Sequence, residues 1–303
     1  MEYPEKTNSF TFQERRAKTD FYTVEAKSIL NKATGFMADY DFTLNPYRGC
    51  QYGCSYCYAA AFSPDRDRRQ DWGNWVVIKA NAVEILNKEL TRWYKKCDRP
   101  PRIYLSSVTD PYQPIEKQQQ LTRQLLIAML AYQPILVIQT RSPAIIRDLD
   151  LLKQFQQLRI NLSIPTGSEA VRKDFEPRSP SIKARLQTIN KLRYGIASDS
   201  SHDIRFSVTI TPLLPTFIKD RDKFCSQLVG IDRIVLQDFH PTRKKSLIAS
   251  TRTEAIALQE KYNWWYRDRE TSYREFKEYL QAKLITWSSD TEILEGKSGF
   301  GYD

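Results

Sequence analysis

Histidine is nearly absent: the 303-residue chain has two, His202 in the polar run Ser-Asp-Ser-Ser-His-Asp and His240 just after an apolar run. Neither is assigned as a metal ligand. No apolar run approaches the roughly 20 residues that a membrane-spanning helix needs. The start, Met-Glu-Tyr-Pro-Glu-Lys, lacks the basic-then-apolar pattern of a secretory signal, so none is expected. There is no internal repeat, no low-complexity tract and no long basic block. The net charge of +10 is dispersed through Arg66-Asp-Arg-Arg69, Lys95-Lys96, Arg243-Lys-Lys245 and Arg267-Asp-Arg269. That balance favours anionic partners such as nucleic acid without marking a dedicated face. Five cysteines with three clustered suit a reducing compartment and a metal site better than a disulfide scaffold, which points to the cytoplasm.

What is present in concentrated form is Asn45-Pro-Tyr-Arg-Gly-Cys50-Gln-Tyr-Gly-Cys54-Ser-Tyr-Cys57-Tyr58. Three thiols at C-x3-C-x2-C in one loop can serve one metal centre. A disulfide would leave one sulfur over, and a structural zinc site normally takes four protein ligands. An iron–sulfur cubane has four irons, so three cysteines leave one iron open to chemistry. A zinc knuckle or a purely structural cluster is the alternative at this point.

Around that loop the chain reads as alternating strands and helices. Phe42-Thr-Leu44 is a short strand into the loop, and residues 63–73 read as an exposed charged loop. Residues 81–97 form an amphipathic helix whose apolar positions, Val83, Leu86, Leu90, Trp93 and Cys97, share one face, which predicts a buried Cys97. Strands are then expected at 102–106, 135–139, 160–164, 204–210 and 234–237, and helices at 121–130, 144–155, 181–194 and 219–229. The alternation implies βαβ units on a parallel sheet, an α/β fold with six βα repeats. Residues 1–40 read as an N-terminal extension, 41–240 as the barrel, and 241–303 as a C-terminal helical cap with helices at 254–265 and 273–284. Trp264-Trp265-Tyr266-Arg267 can stack on bases, although tryptophans in amphipathic helices more often pack into a core.

The cysteine loop resembles the signature of the radical S-adenosylmethionine (SAM) superfamily, C-x3-C-x-aromatic-C, with Tyr56 at the aromatic position. The flanks Asn45-Pro-Tyr-Arg-Gly-Cys and Tyr-Cys-Tyr-Ala resemble the spore photoproduct lyase-like group, also called DNA repair photolyase-like. The resemblance covers about residues 40–240. It implies a partial (β/α)6 barrel of the radical SAM type, a [4Fe–4S] cluster on Cys50, Cys54 and Cys57, and SAM at the open iron. It further implies an electron donor such as flavodoxin or ferredoxin, and reductive cleavage of SAM to a 5′-deoxyadenosyl radical that takes hydrogen from a substrate.

Working groups of parallel barrels gather at the C-terminal ends of strands. Ser106, Ser107, Thr109 and Asp110 follow the 102–106 strand. By the resemblance they match in place the motif for the SAM amino group, while an Asx-type cap explains Asp110 equally well. Arg141, after the next strand, suits a carboxylate, and Ser163 is a second candidate there. Glu176-Pro-Arg178 and Arg185 resemble a family Glu-Pro…Arg pattern, for which a loop-ordering salt bridge is the alternative. Tyr56 and Tyr58 flank Cys57 as do tyrosines implicated in hydrogen transfer in the spore enzyme. That enzyme's cysteine donor has no counterpart in Leu105-Ser-Ser-Val-Thr-Asp110, which puts its repair route in doubt for this chain. A nucleic-acid base remains a candidate substrate. The rival class is a non-catalytic zinc or redox-cluster protein that binds nucleic acid.

Overall fold

The computed structural model describes residues 11–16, 18–196, 202–239, 253–287 and 290–302. His240 and the Arg243-Lys-Lys245 run lie outside them. The described residues form the strands β1 (Thr11–Arg16), β2 (Thr19–Val24), β3 (Leu30–Lys32), β4 (Phe42–Leu44), β5 (Tyr47–Arg48) and β6 (Trp75–Lys79). These are followed by β7 (Arg102–Leu105), β8 (Ile135–Thr140), β9 (Gln157–Ser163), β10 (Asp203–Ile210), β11 (Arg233–Leu236) and β12 (Glu292–Glu295). One sheet has the order β12-β11-β10-β9-β8-β7-β4-β3, parallel throughout except for β3 against β4. A smaller sheet, β1-β2-β6-β5, lies beside the cysteine loop. Among the described residues no helix is long and apolar enough to cross a membrane.

The side-chain period of two along each strand separates the sheet's faces. In β9, Leu158 and Ile160 join the core that also takes in the helices Ala82–Tyr94 and Leu121–Leu130. The alternating Arg159, Asn161 and Ser163 are also buried, on the opposite face. Register carries this inner face across the strands: Gln139 pairs with Asn161, Asn161 with Ser207, and Ser207 with Arg233. One step higher, Ser163 pairs with Thr209 and Thr209 with Val235. The inner face is therefore polar where an ordinary (β/α)8 barrel packs branched apolar residues. Tyr104 donates to Gln139 at 2.8 Å, and Gln139 donates to Thr209 at 2.8 Å.

The C-terminal segment closes the floor of this sheet. β12 pairs with β11, and the short helix Gly296–Phe300 follows. Tyr40 donates to the Phe300 carbonyl at 2.7 Å, and the buried Arg233 donates to the Gly301 carbonyl at 2.8 Å. Arg159 lies over the Tyr302 ring. The segment 241–303 thus adds a strand as well as the helices Thr253–Lys261 and Arg269–Thr286.

Several local expectations are corrected. The helix over 81–97 stops at Tyr94, so Cys97 lies beyond it, half-buried, and is not on the core face. The 144–155 helix is a 3-10 segment, Pro143–Asp148, started by Ser142 accepting from the Ala144 N–H, followed by the short α-helix Leu149–Leu152. The 63–73 loop contains the helix Arg66–Gln70, capped by Asp65 accepting from the Arg68 N–H. Trp265 is buried, whereas Trp264 is half-exposed and stacks on Phe217 with ring centroids 5.4 Å apart.

Candidate active site

The cysteine loop leaves β4 and immediately makes β5, whose Tyr47 and Arg48 pair with Ile78 and Val77. Gly49 then turns with φ +81°, and a Cβ there would stand 2.4 Å from the Trp75 carbonyl oxygen and 2.8 Å from its ring. Only glycine satisfies both the left-handed backbone and the close approach. Gly49→Ala is therefore expected to destabilise the fold by roughly 1–3 kcal/mol, read from the midpoint of chemical denaturation. An unchanged midpoint would show that the loop can shift away from Trp75. Gly53, at φ +55°, donates to the Cys50 carbonyl at 3.2 Å, and the Cys57 N–H reaches the Cys54 carbonyl at 3.1 Å.

The loop is clamped from two directions. Gln113 accepts from the Gln51 N–H at 2.9 Å, and Gln51 accepts from the Ile115 N–H at 2.7 Å. On the other side the Ser55 N–H donates to the Phe175 carbonyl at 3.0 Å. Cys50 and Cys54 are buried with Tyr52, Tyr56, Trp72, Trp75 and Phe175, and Cys57 is partly exposed. Burial pushes the Cys54 thiol up to about 12 against the pull of Arg141. Burial also raises the Cys50 thiol, with Asp110 and the other two thiols adding to it. Metal binding here would have to displace those protons. Among the described residues, no three His, Cys, Asp or Glu side chains converge as ligands to one ion would.

The strand-end residues meet this loop directly. Thr109 Oγ1 donates to the Gly49 carbonyl at 2.7 Å, and the exposed Tyr58 hydroxyl donates to the Ser107 carbonyl. Ser107 Oγ accepts from Asn45 at 3.4 Å. Ser106, buried at the end of β7, holds φ +78°, a strained conformation for a residue with a Cβ. Asp110 Oδ1 accepts from the Tyr112 N–H at 2.9 Å and from Thr140 Oγ1 at 2.7 Å, and Oδ2 accepts from the Arg141 N–H at 2.9 Å. The contact to Tyr112 is the Asx-type cap. Burial raises the Asp110 carboxyl against the opposing pull of Arg141.

Arg141 is where the groups converge. Its Nη1 lies 2.8 Å from Cys54 Sγ and 3.2 Å from the Tyr56 hydroxyl, and it also bonds Glu176 Oε1. Tyr56 donates to the same carboxylate. The other oxygen of Glu176 takes Arg185 at 2.5 Å, and Arg185 Nη1 holds the Ser163 carbonyl at 3.0 Å. Glu176 and Arg185 are both fully buried. Burial opposes the carboxylate charge, but the two arginines outweigh it and hold Glu176 below the usual range. Arg178 instead ties the Gly73 carbonyl at 2.6 Å.

The cysteines, Tyr56, Tyr58, Ser106, Ser107, Thr109, Asp110 and Arg141 thus come together at one end of the barrel, with Ser163 joined through Arg185. Glu176 is the hub of this group, and the Gln51–Gln113 clamp carried no recognisable sequence signal. His202 bonds the Lys153 carbonyl at 3.0 Å and stands at the start of β10, the opposite end of the strands.

The model of the Radical SAM superfamily matches residues 44–216. An uncharacterized protein of Methanocaldococcus jannaschii is 33% identical over 202 residues, covering 67% of this chain and 71% of the relative. An uncharacterized protein of Mycobacterium tuberculosis is 31% identical over 218 residues, covering 69% of this chain and 60% of its own length. In fold, the chain is similar to spore photoproduct lyase complexed with dinucleoside spore photoproduct, with a TM-score of 0.60 at 14% identity over 91% of this chain and 82% of that one. It is also similar to Streptococcus suis SuiB bound to S-adenosylmethionine, with a TM-score of 0.53 at 11% identity over 84% and 49% of the two chains.

Proposed function

Since the chain belongs to the radical SAM superfamily, whose members use a [4Fe–4S] cluster and SAM, we propose that Cys50, Cys54 and Cys57 are the cluster ligands and that the rim around them binds SAM. The observation that carries this reading is the loop itself: three thiols, two of them buried, on a turn that only Gly49 permits. Three cysteines would leave one iron of a cubane open, whereas a structural zinc site normally takes four protein ligands. When reduced, the bound cluster supplies cleavage of SAM to methionine and a 5′-deoxyadenosyl radical able to abstract hydrogen.

The chain's own groups orient and shield. The Asp110 carboxylate accepts three hydrogen bonds, which leaves one of its roughly four lone-pair sites for an ammonium group. The strained Ser106, with Ser107 and Thr109, frames that position. The Nη2 edge of Arg141, outside its contacts to Cys54 and Glu176, offers itself to a carboxylate. Ser163 lines the neighbouring strand end, and Tyr58 stands at the mouth with Tyr56 behind it on Glu176. Residues 41–240 are the catalytic barrel in this reading, flanked by the N-terminal extension and the C-terminal cap, and the electron comes from a carrier such as flavodoxin or ferredoxin in a reducing, cytoplasmic setting.

The test is anaerobic: reconstitute with iron and sulfide, add dithionite and SAM, and quantify 5′-deoxyadenosine by mass spectrometry. Product is expected. Retention of zinc with no cluster and no SAM binding would install the non-catalytic reading. A nucleic-acid base as the substrate is the finer proposal, supported by the +10 charge and the likeness of fold to spore photoproduct lyase. It requires binding to single- or double-stranded DNA at low salt, where phosphate contacts are strongest. A base within a duplex would have to be flipped out. No binding at low salt removes that part alone.

A further inference from the structure

Cys54 has a guanidinium on its sulfur, Arg141 Nη1 at 2.8 Å, with Ser179 Oγ at 3.9 Å from the same atom. This contact is held from both sides. The Arg141 N–H is fixed on Asp110 Oδ2 at 2.9 Å, where β8 ends. Nη1 is also fixed on Glu176, which cannot follow a moving arginine because Arg185 grips its other oxygen at 2.5 Å. Arg185 is itself held on the Ser163 and Pro180 carbonyls, both at 3.0 Å. The charge is thus built in at the sulfur.

A carboxylate-binding arginine does not need this arrangement; a cluster ligand responds to it. Hydrogen bonds to the sulfurs and nearby charge set the reduction potential of an iron–sulfur cluster. Reducing [4Fe–4S]2+ to [4Fe–4S]1+ adds one electron and no proton, so a fixed positive charge stabilises the product more than the reactant. Little water reaches the site to screen the effect: the Arg141 side chain is 17% exposed and that of Glu176 is fully buried.

We propose that Arg141 is a redox-tuning residue. Its N–H···S bond to Cys54 raises the potential of the cluster's one-electron couple, and Glu176 sets how strongly by fixing the guanidinium and partly neutralising it. The inference rests on the cluster assignment made above. It requires no SAM, so it is separable from any part Arg141 has in binding the carboxylate.

The experiment is an EPR-monitored redox titration of the reconstituted protein without SAM, with dithionite as reductant, and with iron and sulfide counted in each variant. Arg141→Gln is expected to lower the potential by at least the equivalent of a tenfold shift in the reduction equilibrium, about 59 mV for a one-electron couple. Arg141→Lys, which keeps the charge but not the planar fork, is expected to lower it less. Glu176→Gln, which removes the opposing charge while keeping hydrogen-bonding capacity, is expected to raise it. A resonance Raman Fe–S(Cys) mode that shifts in deuterated water in the wild type should stop shifting in Arg141→Gln. Iron-replete arginine variants with the wild-type potential overturn the proposal. Should Arg141→Gln fail to take up iron, Arg141→Lys and Glu176→Gln decide by the signs of their shifts. A wild type that takes up no iron overturns the cluster assignment instead.

Discussion

Alanine at Cys50, Cys54 or Cys57 is expected to reduce 5′-deoxyadenosine formation to the level of a reaction without enzyme. Each thiolate of a cubane bonds its own iron, so no remaining pair of cysteines can substitute for the third. The loop is clamped at Gln51 and Ser55 and cannot bring up another ligand. The other thiols are poorly placed to help: Cys97 lies beyond its helix, and Cys225 is wholly buried in a separate apolar core. Cys97→Ala and Cys225→Ala are therefore expected to retain product, and they serve as controls for the loss of a thiol as such. Iron content and product are measured on the same samples. A loop variant that keeps cleaving SAM would remove the assignment of that cysteine.

The largest expected effect on stability is at Glu176. Glu176→Ala leaves Arg185 charged, fully buried and without its carboxylate, and it frees Arg141 at the same time. Removing one partner of a buried pair typically costs about 3–5 kcal/mol, mostly because the other charge stays behind in a poor solvent. A surface pair such as Lys88–Glu84 contributes little, because water screens both charges, so Glu84→Ala is the matched comparison. The measurement is anaerobic denaturant unfolding of the cluster-free protein. A cost for Glu176→Ala below about 1 kcal/mol would mean that water enters to solvate Arg185 and that the network is not a structural hub.

Different parts of this picture were legible in the sequence to different degrees. The cysteine loop stands out in the sequence because its constraint is local, a spacing of three thiols with glycines at its turns, whereas the Gln51–Gln113 clamp on it does not. The parallel strands were legible from their apolar runs, and the sheet carries them in the expected order. β1 was not, since the side chains of residues 11–15 are mostly exposed and its strand character comes from pairing with β2. β12 escaped for the same reason: Glu-Ile-Leu-Glu is too short for a pattern, and its partner is β11, nearly sixty residues earlier. At Cys97 the apolar periodicity of the sequence outruns the helix, which ends at Tyr94. At Asp110 the capping alternative that the sequence offers is present, in the bond from the Tyr112 N–H. Glu176 stands in a recognisable motif, but its weight depends on Arg141, Arg185 and Tyr56 meeting on one carboxylate, which no single stretch of sequence displays.

Tyr40 waits for the Phe300 carbonyl across 260 residues, and Arg233 cannot reach Gly301 until that residue has left the ribosome. During synthesis the cysteine loop emerges early, while β11 remains an open, pairing-competent sheet edge and buried arginines still face water. Closing so long a loop is slow to nucleate. A chain arrested before β12 would therefore present its metal-binding thiols on an unfinished, edge-exposed sheet, the form most in need of a chaperone.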